Sequence, residues 1–131
     1  MASEKVLAHL EANRDRHVDQ LVDFLRIPSV SSQTAHKADI RRAAEFVARE
    51  LQELGLAVEP VDTDGHPLVY AQSEQRPDRR TLLYDGHYDV QPVDPLDLWK
   101  TPPFEPRVEN GAVHARGASD DKGQVYAHFK A

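Results

Sequence analysis

Apolar positions fall on a helical period twice in the first half of the chain. Val6, Leu7, Leu10, His17, Val18, Leu21 and Leu25 share one face, with Glu11, Arg14, Asp15 and Asp19 on the other. Ser3 can cap the start of this helix, with Glu4 in the first turn. Pro28 disfavours helical backbone in the residue before it, so the helix ends near Arg26 or Ile27. The apolar stripe accounts for this helix as scaffold, and His9 and His17 read as surface or core-edge residues. A polar loop, Ser29 to Thr34, follows. A second helix is predicted over Lys37 to Leu54, where Ile40, Ala43, Ala44, Val47, Leu51 and Leu54 form a single stripe. Gly55 stands where a left-handed cap would end it.

The pattern then changes to short extended runs. Leu56 to Val61 and Pro67 to Gln72 read as strands around the turn Asp62-Thr63-Asp64-Gly65, giving a hairpin. Ser73 to Arg80 is polar, contains Pro77 and reads as an exposed loop. Thr81 to Asp85 is a third expected strand, apolar enough to be buried on both faces. Ala112 to Arg116 is a fourth. The connection between these two is more than 20 residues long, which suits a parallel crossover. A last helix begins at Asp120 or Asp121 and runs through Lys122, Gln124, Val125, Tyr126, His128 and Phe129. The expected class is α/β: part of a domain with a mixed, mostly parallel sheet flanked by helices. The last helix stops at Ala131 with its apolar side unfinished, so the expectation is a piece of a larger domain, or one needing a partner to cover its edge.

Composition narrows the chemistry. At 131 residues the chain is long enough for one domain with a core. It has no cysteine, so any metal must be held by His, Asp or Glu, the donors of hydrolytic zinc, manganese or cobalt centres. A net charge of -6 without a Lys/Arg cluster argues against nucleic acid. No apolar run approaches the ~20 residues of a membrane span. Glu4, Lys5 and Glu11 interrupt the first apolar residues, so no secretory leader is expected and a cytoplasmic setting is.

Two predicted strands each deliver a metal donor just past the carboxyl end, where open α/β sheets gather ligands: His87 and Asp120. Asp89, two residues beyond His87 on extended backbone, lies on the same side and can accept the second ring N–H, fixing the tautomer. Asp120 can share its two oxygens between two ions. Each piece also has a plainer reading. His-x-Asp is common by chance, Asp120 could be an ordinary helix cap, and Asp121 and Lys122 a solvated first turn. Trp99 and Phe104 could be core aromatics under a Pro-stiffened loop. Glu105, Glu109 and His114 are further donors with no pattern to support them.

Taken together, Gly86-His87-Tyr88-Asp89-Val90, Trp99 with Pro103-Phe104, and Ala115-Arg116-Gly117-Ala118-Ser119-Asp120-Asp121-Lys122-Gly123 resemble the motifs of the M20 family of co-catalytic zinc metallopeptidases. Ala115 departs from the family's usual Gly. Ile27-Pro28-Ser29-Val30-Ser31 resembles the stretch after the family's first helix, and the wording around His87 and Asp120 is most similar to the dipeptidase, carnosinase-like branch. The resemblance implies two Zn2+ ions per complete site, with Co2+ or Mn2+ as alternatives. It implies His87 on one ion, Asp120 bridging both, Asp89 behind His87, and a cis peptide between Asp120 and Asp121. It also implies that a Glu-Glu pair, further ligands and a dimerising lid domain lie outside these residues, in a full-length homodimer. The expected activity is hydrolysis of a small peptide, or of an N-acyl amino acid, with this chain inactive alone. A catalytically dead module for assembly or partner binding is the non-enzymatic alternative.

Overall fold

The computed structural model describes residues 2–131. Among the described residues, four α-helices and two small β-hairpins are joined by long irregular segments. Helix α1 (Ala2–Ala12) and helix α2 (Arg14–Leu25) replace the single expected helix. They are separated only at Asn13, whose side chain donates to the His9 carbonyl at 2.8 Å beside its own backbone N–H at 3.1 Å. Helix α3 (Lys37–Glu53) follows a short 3-10 turn at Thr34–His36. It ends as expected, with Gly55 at φ +80°.

Strand β1 (Ala57–Val61) pairs antiparallel with β2 (Leu68–Gln72), Ala57 opposite Gln72. Strand β3 (Arg107–Glu109) pairs antiparallel with β4 (Ala112–His114) across Asn110-Gly111. Both turn residues have positive φ, 53° and 78°, which Asn and Gly tolerate best. Helix α4 (Lys122–Lys130) completes the order.

The mostly parallel sheet is corrected: among the described residues both sheets are antiparallel pairs. The one parallel contact is an isolated bridge, Val30 to Val90. The strand expected at Thr81 to Asp85 is not formed. A strand buried on both faces needs neighbours in its ladder and a layer on each side. Here the segment has neither, and Leu82 and Leu83 are 91% and 85% exposed. The expected fourth strand pairs with β3, so the parallel crossover is absent.

The core lies where α2, α3 and α4 meet. Phe24, Ile27, Ala43, Phe46, Val47, Val125, Tyr126 and Phe129 form one buried cluster. The Phe24 and Phe46 rings stack with centroids 4.7 Å apart. Glu50, on the buried face of α3, accepts from Lys130 Nζ at 2.8 Å and lies 3.0 Å from the Tyr126 hydroxyl. This cluster packs α4 against the first half of the chain, and α4 begins where the acidic pair ends.

Candidate metal centre

Two segments distant in sequence meet in front of α4. The first runs through the turn at Gly86 into His87, Tyr88 and Asp89. It is held by the start of the polar loop after α2, whose first two residues are buried: Ser29 is 0% exposed and Val30 1%. Ser29 Oγ donates to the Tyr88 carbonyl at 2.7 Å, and the Val90 N–H donates to the Ser29 carbonyl at 2.9 Å. Ser31 Oγ donates to Asp89 Oδ2 at 2.5 Å. The Tyr88 hydroxyl donates to the Pro67 carbonyl. The alternation Ser29-Val30-Ser31, one apolar residue between two hydroxyls, was the available signal for this extended contact.

Asp89 is thereby fixed, and it fixes His87. Its Oδ1 lies 3.0 Å from His87 Nδ1, and its carbonyl oxygen 3.2 Å away. With Nδ1–H committed to Asp89, Nε2 is the free nitrogen, and it faces Asp120 Oδ1 at 3.2 Å. The imidazole thus has a carboxylate at each end. A lone pair on Nε2 opposite a carboxylate oxygen is repulsive unless a positive charge sits between or on them, either a proton on the ring or a cation shared by both atoms. Burial, the largest influence, pushes the His87 pKa down, but the Asp89 carbonyl and carboxylate and the Asp121 charge outweigh it and hold it above the usual value.

The second segment is built by close approach. Gly117 has φ +87°, and a Cβ there would lie 2.7 Å from Val90 Cγ1. A Cβ on Gly123 would lie 2.0 Å from the Ala118 carbonyl oxygen, so the loop can fold onto the helix only around glycine. The peptide between Asp120 and Asp121 is cis. Arg116 lies over the Trp99 ring, 5.0 Å from its centroid, and donates to the Pro92 carbonyl at 3.1 Å, tying the Pro-rich crossing to this segment.

Lys122 is not in a solvated turn. It is 0% exposed, and Nζ donates to the carbonyls of Phe24 at 3.0 Å and Ile27 at 2.7 Å, at the carboxyl end of α2. Burial lowers its pKa to about 7, against the opposing charges of Asp39 and Asp89. Sequence spacing could not reveal this role, because the carbonyls it meets lie on a distant helix.

The sequence-predicted residues His87, Asp89 and Asp120 are therefore brought together, although not at strand ends. Glu105, Glu109 and His114 do not join them in any cluster: among the described residues no three His, Asp or Glu side chains gather as a cation site. His87 and Asp120, both more than half exposed, fit one corner of a divalent-cation site by donor chemistry, with fewer than the three protein donors such sites use.

An imidazole oriented by one carboxylate and aimed at another has the donor chemistry of one corner of a divalent-cation site. Residues 83–131 match Peptidase family M20/M25/M40. The Cys-Gly metallodipeptidase dug1 of Schizosaccharomyces pombe is 32% identical over 142 residues, covering 100% of this chain and 30% of that protein. The N-formyl-4-amino-5-aminomethyl-2-methylpyrimidine deformylase of Halalkalibacterium halodurans is 30% identical over 127 residues, covering 95% and 29%. The crystal structure of human carnosine dipeptidase 1 superposes with a TM-score of 0.90 at 32% identity, covering 96% of this chain and 29% of that one. The chain belongs to the M20 peptidase family. It spans about three tenths of the length of the curated relatives it matches. Among the described residues no helix is long and apolar enough to cross a membrane.

Proposed function

We propose that these residues form part of the catalytic domain of a metal-dependent dipeptidase, acting within a polypeptide about three times this length. The observation that carries the reading is the approach of His87 Nε2 to Asp120 Oδ1, 3.2 Å, with Nδ1 already occupied by Asp89. His87 and Asp120 would hold a divalent cation, for which zinc suits the imidazole and carboxylate donors. Bound there, the cation supplies Lewis acidity toward an amide carbonyl. Asp89 keeps the ring in one tautomer and orientation, and Ser31 keeps Asp89 in place. The remaining ligands, the general base and a lid or dimerisation domain belong to residues other than these 131. The shares of the relatives that the chain covers support that division, and the dipeptidase names of two of them support the substrate class. A second reading, hydrolysis of an N-acyl group, is favoured by the deformylase relative alone.

The test is zinc binding by equilibrium dialysis, with hydrolysis of Cys-Gly, β-Ala-His and an N-formyl amine measured alongside. The expected result is weak zinc binding, lost in His87→Ala, and no hydrolysis by the 131-residue chain. Zinc binding unchanged in His87→Ala would overturn the site. Hydrolysis that depends on His87 would overturn the division of the active site.

A further inference from the structure

Asp121 stands at the N-cap of α4, where an aspartate ordinarily accepts from the first N–H groups of its own helix. Its side chain makes no such bond. At the helix start the Gly123 N–H donates instead to the Gly117 carbonyl at 3.3 Å, and the Gln124 side-chain amide donates to the Ser119 carbonyl of the preceding loop at 2.6 Å. The Asp121 carboxylate is thus free for another partner. Its Oδ2 accepts from the backbone N–H of His87 at 3.2 Å.

The approach has been given room. A Cβ on Gly86 would lie 3.2 Å from Asp121 Oδ2 and 2.7 Å from Val125 Cγ2, so any side chain there would push the His87 turn away from the helix. The bond joins the two donor-bearing segments directly, because Asp121 is the covalent neighbour of Asp120. Asp89 sets the rotation of the His87 ring, but it belongs to the same segment and cannot set its distance from Asp120. Among the described residues, the Asp121 bond is the polar link between the His87 backbone and the residue next to Asp120.

We propose that Asp121 is a positioning residue for the cation site: its carboxylate, diverted from capping α4, holds the His87 N–H so that the imidazole and the Asp120 carboxylate converge. This rests on the metal reading above.

The experiment uses the 131-residue protein with Zn2+ alone, titrated calorimetrically, and amide exchange followed by NMR. Asp121→Ala is expected to weaken zinc binding on the order of 10- to 100-fold, as loss of a group that orients a ligand does. Asp121→Asn keeps a side-chain oxygen as acceptor and is expected to restore the affinity to within about threefold. In the unaltered protein without zinc, the His87 amide should exchange at least about tenfold more slowly than the amides of Leu82 and Leu83. Exchange of His87 at their rate overturns the proposal even if the alanine variant does not fold. So does an Asp121→Ala protein that binds zinc like the original while His87→Ala abolishes binding. Equal losses in Asp121→Ala and Asp121→Asn would assign the effect to charge and overturn the hydrogen-bond role. Zinc binding insensitive to His87→Ala would remove the cation site itself, and this inference with it.

Discussion

Lys130→Met tests what holds the far end of α4, and with it the start of the helix that follows Asp120. Lys130 Nζ lies 2.8 Å from Glu50 Oε2, with the two side chains 16% and 4% exposed. Lys130 also lies 4.8 Å from the Tyr126 ring centroid, and the Tyr126 hydroxyl is 3.0 Å from the same carboxylate. Methionine keeps the apolar stem and removes the charge. Breaking a buried pair from one side costs about 3–5 kcal/mol, because the other charge is stranded. Tyr126 still donates to Glu50, and Lys130 keeps some contact with water, so we expect about 2–3 kcal/mol. Glu50→Leu strands no charge, since Lys130 can turn outward, and should cost about 1 kcal/mol for the lost Tyr126 bond. The double variant should then be little worse than Glu50→Leu, leaving a coupling of about 1.5–2.5 kcal/mol. Urea unfolding followed by far-UV circular dichroism, with unchanged slopes, measures all four corners of the cycle. Additive losses, within about 0.5 kcal/mol, would refute the reasoning.

Three further outcomes are expected. Gly123→Ala should destabilise by about 3 kcal/mol in the same assay, because its new methyl meets the Ala118 backbone oxygen and only a backbone shift can relieve the clash. Gly111→Ala should cost about 1–2 kcal/mol of hairpin stability through its positive φ, while leaving zinc binding unchanged because β3–β4 contributes no donor. Burial, then the charges of Lys130, Arg16 and His9, lower the His17 pKa below 6.5, with Glu50 opposing. The folded state therefore resists protonation. The contribution of His17 is complete above pH 6.5 and is lost as pH falls through the lowered value. Unfolding midpoints of His17→Gln should fall less steeply than those of the unaltered protein as pH is lowered below 6.5.

The parts of the fold that sequence disclosed are those decided locally. The stripe from Ile40 to Val47 gave α3, Gly55 its end, and Asp62-Thr63-Asp64-Gly65 the first hairpin. The second hairpin was equally local, and Asn110-Gly111 marks it, but the short runs on either side concealed β3. What escaped was decided at a distance. Lys122 is buried because carbonyls on α2 receive it, and Glu50 because Tyr126 and Lys130 do. The expected burial of Thr81 to Asp85 presupposed ladder neighbours that these residues do not provide. The convergence of His87, Asp89 and Asp120 was legible from residue type and spacing, an imidazole with one carboxylate two residues on and another after a later turn. Ser31 and Asp121 were not, since their work depends on which distant group lies opposite, the Asp89 carboxylate for one and the His87 N–H for the other.

The run from Leu82 to Tyr84 has a practical consequence. Leu82 and Leu83 are bare to water, and their backbone belongs to no ladder among the described residues, so the stretch is adhesive. Self-association should climb with protein concentration, and a charge at position 83 should delay it. Zinc titrations at high concentration will therefore report cleanly only where light scattering shows the molecules staying apart.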